Sequence, residues 1–252
     1  MQASELEAIA ARVREATQIV VFSGAGLSAD SGIPTFRDGA TGLWNHVDPD
    51  EVASLGGFLR NPQRVWRFLL QLKVLVDDRR PNAGHQAIAR LESLCAATQT
   101  LTVITQNIDG YHARAGNENV LEVHGSIHQL RCHHRCGFAS DWPRQAVDPF
   151  ACPACGAPVR PDLVMFGELL DAAVFATAEA RSLAADVFFC VGTSFTVHPA
   201  ARLPVWAKAA GALVVEVNPH PTPLSDAADH SIRSGASQFF TALCTHLQAN
   251  PP

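Results

Sequence analysis

Apolar positions along the chain follow two alternating rhythms. Residues 5–16 carry Leu6, Ile9, Ala10 and Val13 at helical spacing, which makes one face apolar. Residues 18–23 (QIVVFS) form a short β-branched and aromatic run, the pattern of a strand buried on both faces. Helical periodicity returns over residues 64–76, with Asn61 placed to cap it and Pro62 in its first turn. Pro81-Asn82 opens another helix, expected to run to about residue 97, and residues 101–105 read as the next strand. Later in the chain come a helix over 172–184, a strand over 186–191 (DVFFCV), a helix over 200–210, a strand over 213–217 (LVVEV) and a helix over 238–248. Nearly all-apolar strands alternating with helices predict an α/β fold, with a parallel sheet covered by helices on both faces.

Residues 127–165 break this rhythm. They hold two close cysteine pairs, five prolines and little periodicity, so something other than an apolar core organises them. The pairs are Cys132/Cys136 and Cys152/Cys155, spaced C-x₃-C and C-x₂-C, each followed by a glycine. Each short loop aims two thiolates at one point, and two such loops complete a tetrahedral site that suits zinc. Four cysteines leave no open coordination position, so the metal is structural. Two disulfides would use the same residues, and His133 or His134 could replace one ligand. The three remaining cysteines, Cys95, Cys190 and Cys244, sit in apolar surroundings.

Composition narrows the class. The chain has 252 residues, 47% of them hydrophobic and 17% charged, a globular balance for one large domain or a large and a small one. The net charge of −5 offers no electrostatic grip on a phosphate backbone, so no specific nucleic acid is expected, while basic, lysine-bearing protein partners stay possible. Glu5, Glu7 and the lack of an 18-residue apolar run argue against a signal peptide or membrane span, and a cytoplasmic protein is expected. No dimer interface is evident, so a monomer is expected.

Candidate chemistry gathers where strands end. The first strand runs into Gly24-Ala25-Gly26-Leu27-Ser28-Ala29, a G-x-G-x-x-A turn. Its glycines permit a tight turn and close backbone approach to a pyrophosphate, and a small third residue lets helix pack on strand. A plain strand-to-helix turn would use the same residues. The usual acidic residue about 20 positions on is missing; Phe36-Arg37-Asp38 and a polar loop stand there, which disfavours an ordinary dehydrogenase. Other strand ends carry Gln106-Asn107-Ile108-Asp109-Gly110, Gly192-Thr193-Ser194 and Asn218-Pro219, amide and hydroxyl groups suited to ribose and amide recognition. His124, in EVHGS, has the right ordinary pKa range for a general base, though a lone histidine taken by itself is more often structural than catalytic.

Together these motifs resemble a known family. GAGLSADSGIPTFR (24–37), TQNIDGYH (105–112), EVHGS (122–126), the cysteine pairs, FGE (166–168), GTSFTVHPA (192–200) and Asn218 occur in matching order and resemble the sirtuins, NAD-dependent protein-lysine deacylases, of bacterial type. The resemblance implies a Rossmann-like NAD-binding domain over residues 1–38, 85–126 and 166–252. The small domain would combine a helical insertion (39–84) and the zinc-binding module (127–165). It implies NAD as co-substrate and one structural zinc. Gly24, Ala25, Gly26, Ala29, Gly192, Thr193, Ser194 and Asn218 would hold the ADP-ribose part, with Ala236 contributing backbone near adenine. Phe36 and Arg37 would belong to the cofactor loop. Gln106, Asn107, Ile108 and Asp109 would surround the nicotinamide ribose and amide. In the implied reaction the acyl oxygen of a modified lysine attacks C1′ of that ribose as nicotinamide leaves. His124 then deprotonates a ribose hydroxyl, which attacks the acyl carbon, giving free lysine and O-acyl-ADP-ribose. Val164, Met165, Phe166, Gly167, Glu168 and Val197 would pair with the acylated protein by strand addition.

Residues 61–68 (NPQRVWRF) most resemble the sirtuin branch that contains desuccinylases. That branch reads an acyl carboxylate with a Tyr and an Arg three residues apart, where this chain has Leu69 and Leu72. A succinyl carboxylate would be buried unpaired against two leucines, so acetyl and longer apolar acyl groups are expected in preference. If the two leucines simply face the core, that expectation loses its basis. Mono-ADP-ribosyl transfer, which uses the same NAD site, is the alternative activity.

Overall fold

The computed structural model describes residues 3–35, 47–143 and 150–250. Helix α1 (Ala3–Glu15) leads into strand β1 (Gln18–Ser23) and a single turn, α2 (Ala25–Ser28). Helices α3 (Pro49–Val52), α4 (Leu55–Arg60), α5 (Pro62–Asp78) and α6 (Ala83–Ser93) precede β2 (Thr100–Thr105), α7 (Tyr111–Ala115) and β3 (Val120–Glu122). Strands β4 (Gly125–Cys132), β5 (Ala139–Asp141) and β6 (Val159–Leu163) follow. The chain then runs through α8 (Ala172–Leu183), β7 (Val187–Val191), α9 (Leu203–Ala209), β8 (Leu213–Val217), β9 (His230–Ile232) and α10 (Ala236–Ala249).

Six strands form one parallel sheet in the order β3-β2-β1-β7-β8-β9, and β5-β4-β6 form a small antiparallel sheet. Period-two alternation divides each parallel strand between two cores. Ile19, Val21, Val103, Phe189 and Val215 pack with Ile9 of α1, Ile88 of α6 and Phe239, Phe240 and Leu243 of α10. Val20, Phe22, Ile104, Phe188 and Val214 face the other way, toward Ala178 of α8 and Leu203 and Ala207 of α9. A fully buried Phe such as Phe239 contributes roughly 2–3 kcal/mol through burial, so both helical layers are held by apolar area. A third cluster joins α5 to the antiparallel sheet: Val65, Trp66, Leu69, Leu72 and Val76 pack with Tyr111, Ile127, Leu130 and Met165. There the Trp66 indole N–H donates to Val159 O at 3.0 Å, and its ring meets Trp142 edge-on at 5.1 Å.

Several expected boundaries shift for local reasons. Helix α6 ends at Ser93 rather than near residue 97, but its start is as expected: Asn82 caps it and His85 closes a capping box. Asp186 lies before β7 and outside it; its carboxylate accepts from Thr17 N, Thr17 Oγ1 and Gln18 N at 2.7–2.9 Å, which holds it below the usual carboxylate range. The helix expected over 200–210 starts as a 3₁₀ turn (Ala200–Arg202), and α9 opens next with Pro204 in its first turn. Among the described residues no helix is long and apolar enough to cross a membrane.

Candidate active site

Winding reverses between β1 and β7, which each continue the sheet in opposite directions. In open parallel sheets a crevice forms beyond the carboxyl ends of strands at such a point. The two loops there interlock. Gly24 N donates to Val191 O, Gly26 N to Gly192 O at 2.8 Å, and Gln106 N to Ser23 O. A Cβ on Gly26 would stand 2.7 Å from Gly192 O, and one on Gly192, whose φ is +56°, would stand 2.4 Å from Leu27 N. The glycines are therefore required by close approach of two loops to each other, a reason the local motif alone did not reveal.

Polar side chains from three strand ends close on this turn. Asn107 Nδ2 donates to Gly24 O and to Ser28 Oγ, both at 3.1 Å. Asn107 Oδ1 accepts no hydrogen bond among the described residues and is the acceptor available to a ligand. Ser28 Oγ donates to Asp109 Oδ2 at 2.7 Å, and Tyr111 N donates to Asp109 Oδ1. Burial pushes the Asp109 carboxyl up, against those hydrogen bonds and nearby positive charge. Gln106 Nε2 donates to Thr193 Oγ1 at 2.9 Å, and Asn218 Nδ2 donates to Thr193 O at 3.0 Å. Gly24, Ala25, Gly26, Ala29, Gln106, Asn107, Asp109, Gly192, Thr193 and Asn218 thus lie in one bonded constellation or directly beside it. Ser194 bonds outward to Thr196, Ile108 accepts from Ile127 N through its carbonyl, and Ala236 opens α10 next to Ser237, which donates to Asp30. Phe36 and Arg37 lie outside the described residues.

His124 stands between β3 and β4. Its Nδ1 lies 3.0 Å from Gln106 O. A carbonyl only accepts, so Nδ1 carries the proton and Nε2 keeps its lone pair. Burial holds the ring below the ordinary histidine pKa, outweighing the hydrogen bond to Gln106 that favours the charged form. The neutral imidazole, the form a base needs, is therefore favoured. Glu122, two residues earlier, is pushed up to about 7 by burial and by the Asp109 charge, against its bond to Ser126.

A second polar layer lies beneath. Thr105 Oγ1 accepts from Asn107 N at 3.0 Å and bonds Ser23 Oγ at 2.9 Å; Ser23 meets His112 Nε2 at 2.8 Å. His112 contacts Asn117, which donates to Glu92. Burial lowers His112 to about 4, so the imidazole in this support under Asn107 is neutral. Sequence reading missed Ser23, Ser28, Thr105 and His112. Ser28 and His112 lie inside the quoted motifs, but their bonding depends on residues about 80 positions away.

The four cysteines converge as expected. Their Sγ atoms all lie within 4.8 Å of one another, with Cys132–Cys155 and Cys136–Cys152 at 3.4 Å. Disulfides need about 2.05 Å, whereas a tetrahedron of 2.3 Å zinc–sulfur bonds has edges of about 3.8 Å. The spacing fits one zinc ion held by four thiolates. Gly137 and Gly156 after each pair have φ of +97° and +74°, which lets the knuckles turn. His133 instead lies against Phe58, with the rings tilted at 41° and their centroids 5.2 Å apart.

The expected substrate groups surround the cleft unevenly. Val164 N donates to His124 O, while Phe166 N and O pair with Ala53 O and Leu55 N. Phe166 and Val197 are partly exposed. Met165, Leu69 and Leu72 are buried in the α5 cluster. Glu168 is committed internally: its carboxylate accepts from Arg160 and from Met165 N.

Comparison with known proteins bears on the same residues. The Sir2 family profile matches residues 24–199. The chain is 46% identical over 239 residues to an NAD-dependent protein deacylase of Mycobacterium tuberculosis, covering 92% of this chain and 98% of the relative. A solved Sir2 homolog–NAD complex superposes with a TM-score of 0.89 at 38% identity, covering 96% of this chain and 94% of the other. A Sir2 structure with a deacetylated p53 peptide and 3′-O-acetyl ADP-ribose gives a TM-score of 0.84 at 28% identity, covering 97% and 98%.

Proposed function

The chain belongs to the Sir2 family, and from that premise we propose how its residues divide the work of an NAD-dependent protein deacylase. The enzyme consumes NAD and acts on protein substrates. We infer that the modified group is an acylated lysine. NAD, when bound, supplies an electrophilic ribose carbon and nicotinamide as leaving group. The Gly24–Ser28 turn, the Gly192–Ser194 loop and Asn218 bind the ADP-ribose part, and Ala236 lies close to the adenine. Gln106, Asn107, Ile108 and Asp109 orient the nicotinamide end, with Asn107 Oδ1 as the directed acceptor. His124 takes the proton of a ribose hydroxyl at Nε2.

The observation that carries this reading is the fixed tautomer of His124, neutral and bonded through Nδ1 to the carbonyl of Gln106. A base held so, beside an amide side chain already pinned to the glycine turn, needs no further rearrangement to accept a proton. We propose the same domain division, a large NAD-binding domain over 1–38, 85–126 and 166–252 and a small one over 39–84 and 127–165; the origin of the parallel strands in the first set supports it.

Leu69 and Leu72 face the core of the α5 cluster, so we propose the preference for acetyl and other apolar acyl groups over succinyl on the apolar character of that cluster and not on two leucines lining an open pocket. Leu69 and Leu72 lie among Trp66, Val76, Tyr111 and Met165. The Tyr111 hydroxyl is already donated to Val76 O, and the Lys73 ammonium to Asp77. Leucine side chains offer a carboxylate no hydrogen bond, so a succinyl group buried against Leu69 and Leu72 would cost several kcal/mol. Rates on acetyl, myristoyl and succinyl forms of one lysine peptide, with product identified by mass, test both parts. The expected result is O-acyl-ADP-ribose with succinyl slowest. Succinyl being fastest would overturn the acyl preference, and ADP-ribose left on protein would point to transfer instead.

A further inference from the structure

The turn Val164–Glu168 is anchored by a buried charge cluster that the reaction itself does not use. Arg160 of β6 is fully buried and sits opposite Arg131 of β4 in the antiparallel register. Two guanidiniums side by side repel unless anions serve both. Glu168 and Asp162 do so. Arg160 Nη1 donates to Glu168 Oε1 at 2.9 Å and Nη2 to Oε2 at 2.5 Å, a two-pronged grip, while Nη2 also donates to Leu163 O. Arg131 Nε lies 2.8 Å from Asp162 and its Nη2 lies 3.7 Å from Glu168. Glu168 Oε2 then accepts from Met165 N, so the carboxylate closes the turn onto its own backbone. Burial would push this carboxyl up; the bonds from Arg160 and Met165 N outweigh it and keep it below the ordinary range. The Phe58 ring lies 5.5 Å from the Arg160 guanidinium.

The outward side of the same turn is open. Phe166 is 43% and Leu169 90% exposed, Gly167 has φ +85° with open space around it, and its N–H has no partner among the described residues. The two ends of the turn are held separately, by Val164 N to His124 O and by the Phe166 pairing with Ala53 and Leu55. Its centre is closed by Glu168 N donating to Met165 O at 2.9 Å and by the carboxylate that the arginine holds. The other end of β6 is tied to the cysteine knuckles through the Val159–Cys132 pairing.

We propose that Arg160 is the positioning residue for substrate-peptide binding: its two-pronged grip on Glu168 fixes the backbone edge, 164–168, on which the acylated peptide docks, and links that edge to the zinc-bound knuckles. This rests on the reading of 164–168 as the peptide-binding edge. The Glu168 carboxylate on this account acts on the turn, and only backbone of 164–168 meets the substrate.

The test uses the zinc-loaded full chain as wild type, Arg160→Lys and Glu168→Gln. The readouts are kcat and KM for an acetyl-lysine peptide at saturating NAD, the ADP-ribose Kd by calorimetry and zinc per chain. Each variant is expected to raise the peptide KM about tenfold or more, with kcat within about threefold and ADP-ribose affinity within about twofold. The double variant should be no worse than the weaker single one, because both remove one interaction. If Arg160→Lys loses zinc or fails to fold, Glu168→Gln decides alone by the same figures. A peptide KM within about twofold of wild type overturns the proposal, as does a parallel fall in kcat and ADP-ribose affinity, which marks general loosening. A wild type that turns over no acylated peptide overturns the docking edge and this proposal with it; a wild type that does, with unaltered variants, overturns the grip alone.

Discussion

Strand β7 buries Val187, Phe188, Phe189, Cys190 and Val191, an unbroken apolar run, whereas β6 buries Arg160 between Val159 and Pro161. The two sheets hold the cleft with different materials. The parallel sheet is a layered apolar core whose buried polar side chains lie mostly at strand ends, with Thr102 and Glu216 inside β2 and β8. The antiparallel sheet is small, and it draws its order from α5, from four converging thiolates and from Arg160, Arg131, Glu168 and Asp162. Apolar layers give the glycine turn and His124 a rigid base. Charges and a metal give the peptide edge a firm but conditional one, which fails if any one partner is removed. Damage to the two regions should therefore read out differently.

The largest separation is expected from His124→Ala. Loss of a general base should lower kcat/KM by roughly 10²–10⁴-fold, with ADP-ribose binding and the melting temperature unchanged. Steady-state kinetics beside calorimetry check this; loss of ADP-ribose binding as well would mean that His124 holds the loops together.

Zinc removal by chelation, or Cys152→Ser, should sharpen the contrast. Amides of β4 and β6 should lose roughly hundredfold or more of their hydrogen-exchange protection while β1, β2 and β7 keep theirs. Uniform loss across both sheets would break the comparison and make the chain one cooperative unit.

Leu69→Ala should destabilise by about 2–5 kcal/mol, because the side chain is buried in the α5 cluster. Thermal unfolding measures the loss. A companion rise in the relative rate on longer acyl chains is expected if the vacated space adjoins the acyl site, and no such rise would make Leu69 a core residue only.

The smallest effect concerns pH. Only the neutral form of His124 can accept a proton, and burial lowers its pKa from 6.5, so kcat/KM should fall on acidification with a midpoint below 6.5. Glu122, which titrates near 7, is separated by the Glu122→Gln variant, in which the acid limb should persist. An acid limb at or above 6.5, or one that vanishes in Glu122→Gln, would contradict this.

Long apolar elements were legible from sequence and short mixed ones were not. Strands β1 and β8 lie on the residues expected because short β-branched and aromatic runs bounded by polar and turn residues mark their own ends. Strands β3 and β9 have three residues each and are not uniformly apolar, so they pair only because neighbouring strands exist to receive them. The cysteine site was legible because short loops fix its geometry locally. The support beneath Asn107 was not: Ser23 and His112 are 89 positions apart, and only the pairing of β1 with β2 brings them together. Arg160 carried a faint signal, an arginine with Asp162 in the mostly apolar stretch before the FGE motif, but its partner could be named only from the fold.

The most direct test of the central claim follows the mass of an acetyl-lysine peptide over time, with and without NAD, for wild type and His124→Ala. The account requires loss of the acetyl group only with NAD, nicotinamide released in equal amount, and no such loss in the variant. A peptide that keeps its acetyl group while the wild type binds NAD and zinc would contradict it.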